Sequence, residues 1–513
     1  MVLGPWHILV ELWNLLTPLT LIYVTASTFI GIVIGMLPGL TATMGVALLT
    51  GLTFGFPPKD AIIILICVYV GAIYGGSRSA ILLNIPGTPA NAATCLDGFP
   101  MAQRGEAGPA IGLATTSSFL GTVFGLFCLA FFTPLLGKIA LQFQSWEFFW
   151  LAIFGIVVCG NLTAPTDPLK GWIAGFVGLL VSQVGQEGIA AYPRFSFGFD
   201  QMRGGFALIP VLVGVYGIAE VLGVMRETVV PRVMTQIQKI LPRWRDLWQY
   251  RRTILRSGII GVIIGAIPGV GEDVAAWVSY DFAKRGSKKP DEFGKGSREG
   301  LIAAETGNNA CIGGAVIPVL SLAVPGSAPA AVLLGAMWLH GVRPGPLLMI
   351  EFPNYIWEVT AMFILASLAM LILGLSLVRT LVKILMVPRP ILMPIVLVLC
   401  VIGSFAISVR VFDIWVMLAF GLLGYPMRKY NYPAAPMVLG VILGDMADVN
   451  FRRALIRTAG DPTPFFTRPI SLVLVGVTLL VILSRSARFR RALADGSRKI
   501  RAAFARREPR EGA

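Results

Sequence analysis

The chain has 513 residues, 56% hydrophobic and 13% charged, with a formal net charge of +15 and a mean hydropathy of +0.77. Soluble domains carry roughly 25% charged residues, so the composition excludes a soluble enzyme or nucleic-acid-binding domain and leaves an integral membrane protein. The positive charge is local: residues 226–256 hold eight basic and two acidic side chains, 284–298 six and two, and 485–513 ten and three, so the remainder is about neutral.

The N-terminus, MVLGPWHILVELWNLL, lacks the basic start and small-residue cleavage site of a signal peptide and reads as an interfacial lead into the first span. Apolar runs then recur along the chain, among them Ile62–Val70, Gly205–Met225, Thr360–Val378 and Ile391–Ile407. A spanning helix needs about 20 apolar residues, which predicts about 10–12 membrane segments. The expected fold is an all-α polytopic membrane protein. Basic loops beside spans mark the cytoplasmic side. The divisions are a first membrane repeat (1–225), a basic cytoplasmic linker (226–256), a second membrane repeat (257–484) and an Arg-rich cytoplasmic tail (485–513).

The repeat is legible in two motifs. GIVIGMLPG (31–39) returns as GVIIGAIPG (261–269), offset by 230, and NIPGTPANAA (84–93) returns as AVPGSAPAAV (323–332), offset by 239. Each is a Pro-Gly interruption of an apolar stretch. Proline removes a donor and glycine admits unusual dihedrals. In lipid such backbone survives only where protein or a wet cavity satisfies it, and paired interruptions point to the binding site of a secondary transporter. No Lys or Arg precedes Lys59, whereas the second repeat starts just after Arg251, Arg252 and Arg256. This predicts pseudo-symmetric repeats of opposite orientation. Gly258–Phe282 lies between two basic loops, so a re-entrant hairpin turning at Pro268-Gly269 is preferred to a single span. The topology of 469–484 stays open, because Arg452, Arg453 and Arg457 precede it and the basic tail follows it.

Three clusters supply candidate site residues. In LPGLTATMG (37–45), Pro38 and Gly39 break a helix beside the hydroxyls of Thr41 and Thr43; freed N–H groups suit anions and freed carbonyls suit a small cation. Its counterpart holds Pro268, Gly269, Glu272 and Asp273. The alternative in both places is a proline kink in a packed helix. The second cluster holds Gly75, Gly76, Ser77, Arg78, Asn84, Pro86, Gly87 and Thr88. The glycines also suit close helix packing. Arg78 is either a substrate contact, a partner of an acid such as Asp97, or an interfacial side chain. The third holds Glu305, Asn308 and Asn309, followed by Pro325, Gly326 and Ser327. Glu305 is a candidate for a coupling cation or proton, as are Glu272 and Asp273; an interhelical hydrogen-bond knot is the competing reading.

No GxxxxGK[ST] or HExxH is present, there are two histidines, and the six cysteines are scattered. A P-loop, a zinc protease, a metal centre and a disulfide framework are therefore unsupported. Asp281 and Asp445 leave a paired-aspartate membrane protease formally open, but Asp281 abuts a basic loop.

LPGLTATMGVALL, YGGSRSAILLNIPGTPANAATCLDGFPMAQRGEAGPA, FGKGSREGLIAAETGNNA and IPVLSLAVPGSAPAAVLLGAMWLHGVRPGPLL resemble the large membrane subunit of the tripartite tricarboxylate transporters, over about residues 20–470. The resemblance implies an ion-driven importer of organic di- or tricarboxylates in a bacterial inner membrane, with no catalytic residues and no cofactor beyond a coupling Na⁺ or H⁺. It implies two protein partners, a periplasmic solute-binding protein and a small membrane subunit of about four helices. Beside the carboxylate and the bilayer, no nucleic-acid partner is expected. The alternatives are a passive anion channel or a membrane-embedded enzyme.

Overall fold

A computed structural model describes residues 6–164, 167–224, 240–242, 244–385, 387 and 389–483. Residues 226–239 and 243 of the linker and the whole tail 485–513 lie outside the described residues, so the expected placement of those segments is not addressed by it. The described chain is helical apart from loops and one short hairpin, β1 (Gly185–Gln186) with β2 (Pro193–Arg194).

Short α1 (His7–Leu15) leads into α2 (Pro18–Met36), which the Thr17 side chain caps and Pro18 starts. The chain leaves the helix at Leu37, and Gly39 takes φ +99°. It restarts as α3 (Ala42–Leu52), capped by Thr41, and continues through α4 (Pro58–Leu83), α5 (Ala92–Gln103), α6 (Ala107–Ala140), α7 (Ser145–Thr163) and α8 (Pro168–Ser182). After the hairpin come α9 (Leu208–Leu212), a π-helical turn (Val213–Ile218) and α10 (Ala219–Val224).

Beyond α11 (Trp244–Gln249), α12 (Arg251–Ala266) stops before Pro268, Gly269 takes φ +71°, and α13 (Gly271–Gly286) runs back. The start of α12 and the end of α13 meet: Thr253 and Ser287 both donate to the Glu299 carboxylate, at 2.6 and 2.7 Å. Then follow α14 (Arg298–Leu322), α15 (Ala328–Leu339), α16 (Leu348–Glu351), α17 (Tyr355–Ser376), α18 (Val378–Leu385), α19 (Arg389–Ser408), α20 (Val411–Lys429), α21 (Ala434–Arg457), α22 (Pro464–Thr467) and α23 (Pro469–Leu483).

Among the described residues eight helices are long and apolar enough to cross a membrane, fewer than the 10–12 segments expected, and five shorter apolar helices accompany them. The difference has two causes. Interruptions divide apolar runs into pieces such as α3 and α15. In addition α14, 25 residues long, carries Glu305, Asn308 and Asn309 and is wrapped in protein, every residue from Gly300 to Ser321 being buried. The outer surface is apolar: Phe127, Phe131 and Leu135 of α6 are 70, 62 and 51% exposed. Such a face suits lipid as its solvent.

Two fully buried helices, α4 and α14, form the axis of the fold, and each is joined by glycines to the helix before its preceding break. A Cβ on Gly75 of α4 would lie 2.3 Å from the Ile32 carbonyl oxygen, and one on Gly314 of α14 2.4 Å from that of Val262. Backbones approach this closely only where side chains are absent.

Helix directions follow from end-to-end contacts. Lys59 at the start of α4 pairs with Glu358 at the start of α17 at 3.0 Å, and Arg78 near the end of α4 donates to the Gly374 carbonyl near the end of α17. Gly374 lies against Thr115 near the start of α6, while Gly137 near its end meets Met349, just before α17. So α4 and α17 run against α6. By contrast Gly121 and Gly125 of α6 meet Thr306 and Ala310, which makes α14 run with it.

At the end where α6 and α14 begin, Arg298 bridges Glu106 and Asp246 at 3.4 and 3.0 Å. At the opposite end, Arg468 pairs with Glu147 at 2.8 Å, Arg457 donates to Gln144 at 3.0 Å, and Arg194 and Arg452 share Asp448 at 2.9 and 3.0 Å. The arginines before α23 therefore lie at the end away from the linker, where Arg452 and Arg468 are paired with acids.

Overpacking a close helix contact costs about 1–3 kcal/mol or more. Gly75→Val and Gly314→Val are expected to lose at least that much stability in thermal unfolding of the detergent-solubilised protein. Gly55→Val, where nothing lies within 4 Å, is expected to stay within about 0.5 kcal/mol of the parent.

Candidate functional site

Four helix starts surround one cavity of about 230 Å³. Thr41, Ala42 and Thr43 bring the start of α3; Gly269–Asp273 bring the start of α13; Ala328 and Pro329 bring the start of α15; and Pro433–Ala435 bring the start of α21. Thr88, Pro89 and Ala90 add a 3₁₀ turn, and Ile73, Thr163 and Tyr216 complete the wall.

Two caps fix these starts. The Thr41 hydroxyl accepts from the Met44 N–H at 3.2 Å, and the Ser327 hydroxyl from the Ala330 N–H at 3.4 Å. A cap satisfies one donor of the first turn and leaves others available, and the positive end of each helix dipole faces the space they share. The arrangement is a cradle for an anion.

Bonds across the molecule lock the cradle. Tyr69 of α4 donates to the Glu272 carboxylate and lies 2.8 Å from the Ser327 hydroxyl. Asn308 of α14 donates to the Ala90 carbonyl at 3.1 Å. The central helix of each half thus reaches the Pro-Gly loop of the other. The Gly269 N–H also donates to the Pro325 carbonyl at 3.2 Å, joining the two interruptions of the second half.

Of the residues expected from sequence, Thr41, Thr43, Thr88, Gly269, Glu272 and Asp273 line the cavity. Asp273 is half-buried there, whereas Glu272 is buried and held by Tyr69. Glu305 stands behind the wall. Its carboxylate accepts from Thr94 at 2.5 Å, Ser118 at 2.7 Å and Asn91 at 3.5 Å, and Asn91 in turn accepts from Thr88 at 2.7 Å. Asn309 donates to the Asn308 side chain at 2.6 Å, so these amides form an interhelical knot connected to the cavity through Thr88 and Ala90.

The small residues shape the backbone. A Cβ on Gly76 would meet Asn91 at 2.2 Å, one on Gly87 the Gly35 carbonyl at 2.1 Å, and one on Gly326 the Gly265 carbonyl at 1.9 Å. Asn84 caps α4 with φ +57°, and Ser77 bonds back to the Tyr74 carbonyl at 2.8 Å. Pro38, Gly39, Pro86, Pro268 and Pro325 set the turns and do not themselves line the cavity.

Arg78 is also outside the cavity lining. It is 1% exposed, donates to the Tyr74 hydroxyl at 2.6 Å and the Gly374 carbonyl at 2.5 Å, and leaves Nε and Nη1 without partners. Asp97 does not pair with it: that carboxylate accepts from Tyr280 and from the N–H groups of Gly294, Gly296 and Ser297, at 2.7–2.9 Å.

Sequence reasoning missed Thr163, Tyr216 and Pro433. Tyr216 sits in the π-helical turn, a feature frequent at functional sites, and its buried hydroxyl has no hydrogen-bond partner among the described residues. A lone phenol between Gly214 and Gly217 in an apolar run was the available signal.

The sequence profile of the tripartite tricarboxylate transporter TctA family matches residues 21–439. An Agrobacterium vitis protein described as an uncharacterized 52.8 kDa protein in the TAR-I ttuC' 3' region is 35% identical over 472 residues, covering 91% of this chain and 93% of that one. A second protein of the same organism, described as an uncharacterized protein in the TAR-II ttuC' 3' region, is 35% identical over 223 residues, 44% of this chain and 92% of that one. No solved structure matches. With several helices able to cross a bilayer and a family match over most of its length, the chain is a multi-pass membrane transport subunit, not an enzyme, and belongs to the tripartite tricarboxylate transporter TctA family.

Proposed function

We propose that the protein carries organic di- and tricarboxylates into a bacterial cell through the inner membrane, by alternating access between two inverted repeats, driven by Na⁺ or H⁺. In this reading a periplasmic binding protein delivers the substrate, and a small membrane subunit completes the assembly. The repeats are 1–225 and 257–484, with the linker 226–256 and the tail 485–513 on the cytoplasmic side. The observation that carries the proposal is the convergence of four helix starts, three of them just after Pro-Gly interruptions, on one cavity.

The contacts support the repeat. Asn84 and Ala323, 239 positions apart, both end a helix at φ +57°. The Gly87 N–H donates to the Gly76 carbonyl at 3.4 Å, and the Gly326 N–H to that of Ala315, again 239 positions on, at 3.3 Å. The inverted orientation is supported by α4 running against α14. The α12–α13 pair, with both ends at Glu299, fits a re-entrant hairpin, and the acid-paired Arg452 near the end of α21 and Arg468 before α23 fit the outer side despite the charge rule.

Magnitudes favour coupling. Each helix start stabilises a nearby anion by typically 0.3–1 kcal/mol, so four supply roughly 1–4 kcal/mol at that typical strength. One carboxylate about 4 Å from the substrate opposes it by about 4 kcal/mol at an effective dielectric of 20. Asp273 therefore cancels the attraction of the cradle unless a proton or cation sits on it. Asp273 is the first candidate for the coupling residue, Glu272 is held ready by Tyr69, and Glu305 stiffens the wall behind.

Ligand screening of the cognate binding protein, followed by uptake in proteoliposomes against a gradient, tests the function. Accumulation that stops when the ion gradient is dissipated is the expected result, and downhill flux alone points to a channel. Asp273→Asn is expected to retain carboxylate binding but lose ion-driven accumulation; unchanged accumulation removes Asp273 from coupling. A hydrogen bond to a charged group contributes about 1.5–3 kcal/mol, so Tyr216→Phe is expected to weaken carboxylate binding by about ten- to a hundredfold in calorimetry.

A further inference from the structure

A second cavity, of about 380 Å³, continues from the first. The two share Thr41, Thr163 and Tyr216, and the second extends to Glu220, Arg428 and Asn431. Glu220 lies four residues before Val224, where α10 ends and the chain enters the linker, so this space leads from the cradle toward the linker end of the molecule. Among the described lining residues Arg428 is the one cation, and it pairs with Glu220. The pair is asymmetric. The Glu220 side chain is 12% exposed and that of Arg428 is 54% exposed, so the acid is fixed in the wall while the guanidinium faces the passage. The neighbouring loop is anchored, because Lys170 donates to the Tyr430 carbonyl at 2.9 Å and lies over the Tyr432 ring.

We infer that Arg428 is a second carboxylate subsite, an exit station between the central cradle and the linker side, and that Glu220 is the built-in carboxylate that reclaims it when the substrate leaves. The inference rests on the proposed carriage of carboxylates. A guanidinium presents a planar fork that holds a carboxylate through two parallel N–H bonds. A partly exposed ion pair contributes little net stability, so exchanging one carboxylate for another on the same fork is nearly neutral. The cradle's donors are neutral N–H groups and hydroxyls beside the Asp273 carboxylate, so among the described lining residues no basic side chain meets the anion there. Arg428, the first cation that the described lining offers beyond the cradle, is therefore the station to which the anion transfers, with Tyr216 common to both cavities. Arg428 cannot be exchanged for a neutral residue under this scheme even if the packing is kept, and this separates a relay from a structural pair.

The test is uptake by the assembled transporter in proteoliposomes, using the labelled di- or tricarboxylate that the parent protein carries, together with a labelling assay. Arg428→Met is expected to lower the maximal rate by about tenfold or more with KM changed less than about threefold, while Arg428→Lys, which keeps the charge and loses the fork, is expected to fall between the parent and Arg428→Met. Glu220→Met combined with Arg428→Met restores an uncharged wall and is expected to stay slow. Recovery of the parent rate in that double variant, or an unaffected Arg428→Met, overturns the inference. For the labelling assay, Asn431→Cys is alkylated with a maleimide in detergent. Citrate is expected to slow the reaction when Arg428 is present and not when it is methionine; equal rates in both overturn the subsite. Absence of carboxylate uptake by the parent protein is instead a failure of the carrier reading, and the labelling assay then still decides whether Arg428 binds the anion.

Discussion

The fold turns on one constraint: backbone that leaves helical geometry inside an apolar medium must find its partners within the protein. The chain breaks its helices at Pro38-Gly39, Pro86-Gly87, Pro268-Gly269 and Pro325-Gly326. Close packing answers part of that demand, with Gly87 seated on Gly35 and Gly326 on Gly265. Cross-molecule bonds answer another part, from Tyr69 to Ser327 and from Asn308 to Ala90. What remains is a set of helix starts facing a shared space. The same feature that makes the segments costly to bury makes them suited to hold an anion.

Small residues and buried hydroxyls divide the work. The glycines of α2, α4, α12 and α14 let backbones touch and set the distance between the central helices and the interrupted segments. Hydroxyls and amides then join the elements: the knot around Glu305 ties α14 to α5 and α6, and the Asp97 carboxylate ties the basic loop to α5 through three N–H groups. Each is a buried polar group with its partners supplied, as a low-dielectric interior requires. Arg78 departs from this pattern, being buried with two nitrogens that have no hydrogen-bond partner among the described residues.

Much of the core was legible because breaks, repeats and charge are local signals. A Pro-Gly step in an apolar run announces an interruption wherever it falls, and a matching step at a fixed offset announces its counterpart. Thr41, Thr43, Gly269 and Asp273 were found this way. Tyr216, Thr163 and Pro433 were not, because they come from elements outside the repeated motifs and reach the cavity only through tertiary packing. Gly76, Gly87 and Gly326 belong to conspicuous motifs, yet their neighbours are backbone atoms; a motif records that a position is constrained without saying by what. Eight described helices have the length and hydropathy of a span where about 10–12 segments were expected, because hydropathy along the sequence does not distinguish a lipid-facing helix from an interrupted or protein-wrapped one such as α14.

A density map of the transporter with its carboxylate bound tests the account most directly. The account predicts ligand density in the cavity between the starts of α3 and α13, within hydrogen-bonding distance of both. Ligand density elsewhere with that cavity empty, or the two interruptions standing apart and facing lipid, contradicts it.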